Sequence, residues 1–110
     1  MSKKSPITTH ILDIAAGKPA AGVSVRLERQ TATGYEELAN GVTNADGRVT
    51  DLLEPGTLSA GVYRVSFDVG AYQEGFYPSV SVDFRVDALD EHYHVPLLLS
   101  PFGYSTYRGS

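Results

Sequence analysis

The chain has 110 residues and contains no cysteine, which excludes a disulfide framework, a thiolate metal site and a thiol nucleophile. Its net charge of −4, without a basic run, argues against nucleic-acid binding, and no apolar run is long enough to span a membrane. The composition, with 7 Tyr, 4 Phe and many β-branched residues, favours an all-β fold. We therefore expect a cytoplasmic protein with a single domain over residues 1–110, in which residues 1–5 form a polar lead-in.

Alternation of polar and apolar residues predicts four strands in the first half of the chain, at residues 7–14, 23–27, 36–43 and 48–53. The third of these is interrupted by Asn40 and Gly41, which favour turns. The dipeptide Asp46-Gly47 predicts a tight turn that places Arg48 at the first position of the fourth strand.

The second half begins with the clearest strand, residues 62–69, followed by residues 71–77, which break the alternation and are predicted to form at most two helical turns. Further strands are predicted at 80–86, at 92–99 and, after a turn at 100–103, at 104–107. About eight short strands with one short helix indicate a two-sheet β-sandwich.

The histidines are the natural proton carriers near neutral pH, and the chain has three of them: His10, His92 and His94. Period-two alternation places His92 and His94 on the same face of their strand. Three interpretations stay open at this point. The pair can be surface or interface histidines, part of a zinc site completed by Asp90 or Glu91, or acid–base groups of an active site.

Two arginines are candidates for ligand binding. Arg48 follows a turn directly, so its guanidinium is either free to reach a ligand or simply solvated. Arg108, near the end of the chain, can equally pair with a carboxylate. Ser110 is a poor candidate nucleophile because terminal residues fray, and the glycines lie in turns rather than in a phosphate-binding loop.

Two long segments resemble signatures of the transthyretin superfamily. The first is His-Ile-Leu-Asp at residues 10–13, continued by Gly17, Pro19-Ala20, Val23 and Val25. The second is Tyr-His-Val-Pro at residues 93–96, continued by Leu-Ser-Pro-Phe-Gly-Tyr-Ser at residues 99–105. The resemblance extends over nearly the whole chain.

The chain is similar to one branch of this superfamily in particular, the 5-hydroxyisourate hydrolases. That branch typically has His, Arg and His at the positions of His10, Arg48 and His94 and ends in Tyr-Arg-Gly-Ser, as this chain does. The hormone-carrier branch typically has Lys, Glu and Thr at the same three positions.

The resemblance implies a transthyretin-like sandwich of eight strands with a short helix after the fifth, assembled as a homotetramer, a dimer of dimers. It implies active sites in the channel between the dimers and a hydrolysis that needs neither cofactor nor metal. The substrate would be 5-hydroxyisourate, opened at a ring amide on the way from urate to allantoin.

The resemblance also implies roles for individual residues. One of His10 and His94 would be the general base and the other the acid or orienting group, while Arg48 would hold the heterocycle or the oxyanion. His92 is interpreted as an ordinary surface histidine. The substrate-binding residues would be Tyr107, Arg108, Gly109 and Ser110. The alternatives are a transthyretin-like carrier of small ligands without catalysis and a purely structural sandwich that uses an edge strand to contact partners.

Overall fold

The computed structural model describes residues 5–109, which form nine β-strands and one short 3₁₀ helix. The helix is Val69–Ala71. The strands are β1 Ile7–Asp13, β2 Lys18–Pro19, β3 Ser24–Thr31, β4 Gly34–Val42, β5 Arg48–Val49, β6 Gly61–Phe67, β7 Val80–Val86, β8 Tyr93–Ser100 and β9 Gly103–Thr106.

The strands form two sheets. Sheet 1 has the order β2-β1-β8-β9, with β5 also paired to β1, and sheet 2 has the order β4-β3-β6-β7. All neighbouring strands run antiparallel except β1 and β8, which are parallel and are separated by most of the chain. The predicted all-β sandwich is confirmed.

The core is made of apolar side chains contributed by both sheets. In β8 the four residues predicted to share one face, Tyr93, Val95, Leu97 and Leu99, are all buried, and β6 contributes Tyr63, Val65 and Phe67 in the same way. The opposite face of β8, which carries His94, remains partly exposed. Period-two alternation thus sorts core from outer face correctly in these strands.

Two predicted strands differ from the structure. Asn40 and Gly41 do not interrupt β4, which continues to Val42. Gly41 lies so close to β5 that a Cβ there would be 2.9 Å from Cγ1 of Val49. The glycine therefore allows close packing rather than a turn. The predicted strand 48–53 is only two residues long, and the N–H of Leu53 donates to Oγ of Ser5 (3.0 Å) instead of to a strand partner.

The predicted short helix is present as a single 3₁₀ turn, but it begins two residues earlier than predicted, at Val69, and residues 72–77 are not helical. Backbone bonds to two prolines hold this segment in place: Gly70 N–H donates to the carbonyl of Pro78 (2.8 Å) and Phe76 N–H to that of Pro101 (2.7 Å). The 3₁₀ turn follows the strand that was predicted as the fifth. This strand is the sixth in the structure, because β2, which is too short for alternation to predict, adds one to the count. Within residues 5–109, no helix has the length and apolar character needed to cross a membrane.

Candidate functional site

Three strands of sheet 1 bring the three marker residues to one face of the molecule. The parallel pairing of β1 with β8 sets Thr8 opposite His94, and the antiparallel pairing of β1 with β5 sets His10 opposite Arg48. Thr8, His10 and His94 alternate with core residues, so all three point away from the core.

A tight turn before β5 fixes the position of Arg48. The side-chain oxygen of Asn44 accepts the backbone N–H groups of Asp46 (2.9 Å) and Arg48 (3.0 Å). Gly47 has φ of 73°, and its carbonyl accepts the N–H of Ile11 (2.7 Å), which docks the turn onto β1. A Cβ at Gly47 would lie 2.5 Å from the carbonyl oxygen of Ile11, so only glycine fits this approach.

The imidazoles form a row across this face. The ring centroids of His10 and His94 are 6.3 Å apart, and those of His92 and His94 are also 6.3 Å apart. The hydroxyl of Thr8 lies between the last two, with its Oγ1 at 2.8 Å from Nδ1 of His94 and 2.9 Å from Nε2 of His92.

Thr8 is a member of this cluster that the sequence did not reveal, and His92 is part of the network rather than an isolated surface residue. The shared face of His92 and His94 was readable from their spacing. The contribution of Thr8 was not, because it depends on the parallel pairing of two strands more than eighty residues apart.

The environment keeps the two histidines nearest Arg48 in their neutral form. Partial burial, followed by the positive charge of Arg48, lowers the pKa of His10 below the ordinary histidine value, although Asp46 opposes the shift. Burial and then Arg48 also lower the pKa of His94, with smaller contributions from His10 and His92. A neutral imidazole at pH 7 can accept a proton, as a general base must.

The end of the chain reaches the site through Gly109. Its N–H donates to the carbonyl oxygen of His94 (2.9 Å), forming an isolated β-bridge with that residue. A Cβ at Gly109 would be 2.6 Å from Cδ2 of His94 and 3.3 Å from Cγ of Pro96. The backbone of Gly109 therefore packs directly against the imidazole of His94.

Two other predicted binding residues of the terminus, Tyr107 and Arg108, line a cavity together with His94. Tyr107 is exposed. The guanidinium of Arg108 pairs with Glu91 (Nη2 to Oε1, 2.8 Å) and lies 4.6 Å above the ring of Tyr93. Ser110 falls outside the described residues.

A cavity of about 320 Å³ separates β7 from the C-terminal segment. Its lining includes His94, Tyr107 and Arg108 but neither His10 nor Arg48. His10 and His94 are partly exposed and Arg48 is exposed, so solvent reaches all three marker residues in the single chain. No group of three or more His, Cys, Asp or Glu between residues 5 and 109 is arranged to hold a metal ion.

Comparison with known proteins identifies the family. Residues 7–109 match the model of the HIUase/Transthyretin family. The chain belongs to this family. The resemblance inferred from the two terminal signatures is thereby confirmed.

Curated relatives extend over nearly the whole chain. The 5-hydroxyisourate hydrolase of Mus musculus is 46% identical over 116 residues, covering 99% of this chain and 98% of the relative. That of Caulobacter vibrioides is 48% identical over 115 residues, covering 96% of this chain and 99% of the relative.

Solved structures from both branches superpose on the fold. The 5-hydroxyisourate hydrolase of Klebsiella pneumoniae has a TM-score of 0.80 at 41% identity, covering 98% of this chain and 94% of that one. Transthyretin from Sparus aurata has a TM-score of 0.88 at 37% identity, covering 94% of this chain and 96% of that one.

Proposed function

We propose that this chain hydrolyses 5-hydroxyisourate, opening a ring amide of that compound in the breakdown of urate towards allantoin. The observation that carries the proposal is the convergence of His10, Arg48 and His94 from three strands onto one face. The names of the mouse and Caulobacter relatives, which match over nearly their full lengths, support it.

Amide hydrolysis requires a base that deprotonates water, a donor that stabilises the tetrahedral oxyanion and an acid that protonates the leaving nitrogen. One of His10 and His94 acts as the base and the other as the acid or orienting group. Their centroids are 6.3 Å apart, which allows both to contact one small heterocycle. The lowered pKa values of both histidines suit a base that must be neutral at pH 7.

Arg48 supplies the positive charge of the site. No ion pair joins its guanidinium to a carboxylate between residues 5 and 109, so its donors are available to a ligand. A guanidinium forms charge-assisted, forked hydrogen bonds to electron-rich oxygens. We assign to it the binding of the heterocycle or of the developing oxyanion.

The C-terminal residues bind the substrate and exclude water in this proposal. Gly109 supports the imidazole of His94, while Tyr107, Arg108 and Ser110 offer hydrogen-bond donors. Arg108 reaches a substrate by exchanging its exposed pair with Glu91, because such solvated surface pairs are weak. The reaction needs no cofactor.

A homotetramer, a dimer of dimers, would enclose the open site with a second subunit. Large apolar side chains are exposed on the loops at one end of sheet 1, where Ile14 follows β1 and Phe102 follows the parallel strand β8. Within residues 5–109, β7 is an edge strand of sheet 2 and β9 is an edge strand of sheet 1. Exposed edge strands can pair with the edge strand of a second subunit. Sedimentation tests the assembly, and cell fractionation tests the cytoplasmic location that we also propose.

The rival function is a carrier of small ligands. Fold similarity cannot decide between the two, because a chain titled sea bream transthyretin in complex with thyroxine has a TM-score of 0.89, above that of the Klebsiella hydrolase. The decision therefore depends on the site, where His10, Arg48 and His94 stand in place of the carrier branch's typical Lys, Glu and Thr.

The test is to generate 5-hydroxyisourate in situ from urate and to follow its decay spectroscopically. We expect the protein to accelerate the decay and His94→Asn to lose about 10²–10⁴-fold of that acceleration, the usual contribution of general acid–base catalysis. Binding of an aromatic ligand without any acceleration would favour the carrier.

A second test concerns the terminus. Deletion of residues 107–110 should remove most of the activity yet leave the fold intact, because the core side chains of β6 and β8 lie elsewhere. Steady-state kinetics, thermal unfolding and size exclusion measure both effects. Activity at the level of the full chain would mean that these residues do not bind the substrate.

A further inference from the structure

The hydroxyl of Thr8 is shared between two imidazoles. It lies 2.8 Å from Nδ1 of His94 and 2.9 Å from Nε2 of His92, and both distances are those of good hydrogen bonds. Thr8 is buried, whereas His92 is exposed at the end of the row. The three side chains thus form a continuous path of hydrogen bonds from the solvent-exposed imidazole to the candidate catalytic one.

Thr8 is buried, and its hydroxyl has no partner other than these two imidazoles within residues 5–109, so its proton is donated to one of them. The hydroxyl has one proton to donate and two lone pairs that accept. If Thr8 donates to one imidazole nitrogen, the other nitrogen must carry a proton and donate to Thr8. The protonation of Nδ1 of His94 is therefore linked, through Thr8, to that of Nε2 of His92.

One of the two complementary arrangements prepares His94 for catalysis. When Nε2 of His92 accepts the proton of Thr8, Oγ1 of Thr8 is left to accept an N–H from Nδ1 of His94. Nε2 of His94 then keeps its lone pair and can take a proton from water. In the reverse arrangement Thr8 donates to Nδ1 of His94, and Nε2 carries the proton and cannot act as a base.

We propose that Thr8 and His92 are positioning residues that set the tautomer of His94, leaving its Nε2 as the nitrogen that accepts a proton. This role rests on the hydrolase function proposed above. Neither residue needs to touch the substrate, since both act through His94. Besides His92, the groups acting on His94 are His10 on β1 and Arg48 on β5, and the charge of Arg48 favours a neutral His94. The charged residues Asp83, Arg85 and Arg108 line the adjoining cavity.

Two pairs of matched variants separate hydrogen bonding from shape. Thr8→Val removes the hydroxyl and keeps the volume, while Thr8→Ser keeps the hydroxyl. His92→Phe removes the acceptor, while His92→Gln keeps an acceptor oxygen on a side chain of similar reach. Because His92 is exposed, its variants test the network without disturbing the core.

The first readout is kinetic. We expect Thr8→Val and His92→Phe to lower kcat about tenfold or more with little change in KM, as part of the base contribution is lost, and the two conservative variants to stay within about threefold of wild type. Wild-type kcat in His92→Phe would overturn the proposal. So would equal losses in His92→Phe and His92→Gln.

The second readout does not require activity. Nitrogen-15 NMR at about pH 8, above the ordinary histidine pKa of about 6.5, reports which ring nitrogen carries the proton. We expect a protonated Nδ1 on His94 in wild type and in both conservative variants, and a shift towards protonated Nε2 in Thr8→Val and His92→Phe. An unchanged His94 tautomer across all variants would overturn the proposal. A wild-type protein without hydrolase activity but with the expected tautomers would instead refute the proposed function.

Discussion

The outer faces of the two sheets carry similar residue types in opposite arrangements. On sheet 2, Arg64 donates to Asp83 (Nε to Oδ1, 2.7 Å), and its guanidinium lies 3.8 Å above the ring of Tyr35. On sheet 1, Arg48 faces two imidazoles and pairs with no carboxylate between residues 5 and 109. The first arrangement satisfies its own charges, whereas the second leaves donors and lone pairs available to a ligand.

The difference is one of electrostatics rather than of composition. An exposed pair such as Arg64 and Asp83 adds little to stability and serves a solvated surface. A cation beside two histidines disfavours their protonation and so, together with burial, lowers the pKa of both. Such an arrangement, positioned by a tight turn that requires glycine at Gly47, indicates a site used for binding or catalysis.

The sharpest test of this contrast exchanges one arginine on each face for alanine. Arg48→Ala should lower kcat/KM about 10²-fold or more, the usual loss when one oxyanion donor is removed. Arg64→Ala, the matched control, should leave kcat/KM unchanged, because it breaks only a surface pair. Steady-state kinetics on freshly generated 5-hydroxyisourate measures both. Equal losses in the two variants would erase the distinction between the faces.

The sequence predicted which side chains of sheet 1 point outward better than it predicted which of them contact one another. Alternation placed His94 outward and Tyr93 inward, and Asp46-Gly47 predicted the turn before Arg48, as observed. These are local patterns, which depend on neighbours along the chain. The family signatures, rather than alternation, singled out which outward residues matter.

The contacts that the sequence could not reveal are long-range. Thr8 meets His94 only because β1 pairs in parallel with β8, and Gly109 meets the same imidazole only because the terminus folds back after β9. The early end of the short helix has the same origin, since Phe76 N–H donates to the carbonyl of Pro101 rather than to a residue of its own turn. Each depends on a partner that no local pattern identifies.

A smaller effect is expected at the terminus. Gly109→Ala would place a Cβ 2.6 Å from Cδ2 of His94, so the imidazole must move. We expect kcat/KM to fall about tenfold, as misplacement of a catalytic group reduces its contribution. Gly103→Ala is the control, because its Cβ would meet only Oγ of Ser100, at an ordinary 3.7 Å. A loss in Gly103→Ala as large as that in Gly109→Ala would point to the strand rather than to His94.

The pH dependence tests the electrostatic part of the contrast. The pKa values of His10 and His94 are lowered, so the base stays neutral, and kcat/KM should hold, until the pH falls below the ordinary histidine value of about 6.5. Removing the charge in Arg48→Ala should raise both pKa values and move the acid limb of its residual activity to higher pH. Arg64→Ala should leave the limb in place. The profiles must be corrected for spontaneous decay, and a flat profile from pH 5 to 8 would remove histidine from the base role.

The smallest expected effect on activity lies on the inner face of β1, opposite His10. Asp13 is buried there and accepts a hydrogen bond from the hydroxyl of Tyr72 (2.7 Å) and another from the N–H of Ala16 (2.9 Å). The bond from Tyr72, followed by that from Ala16, lowers the pKa of Asp13. The carboxylate therefore contributes stability above its unfolded pKa of about 3.9, and this contribution is lost as the pH falls through the lower folded value.

Tyr72→Phe should reduce the free energy of unfolding at pH 7 by about 0.5–1.5 kcal/mol, because it removes one part-buried hydrogen bond to the Asp13 carboxylate. The difference from wild type should shrink as the pH falls below 3.9, where Asp13 becomes protonated in the unfolded chain and then in the folded one. Activity should be unchanged, since the substitution lies across the strand from His10 and Thr8. Denaturant unfolding at pH 7 and at lower pH, beside kinetics at pH 7, measures all three. A large loss of activity at full stability would show that the two faces of β1 are coupled, and that polar groups on the core side also serve the reaction.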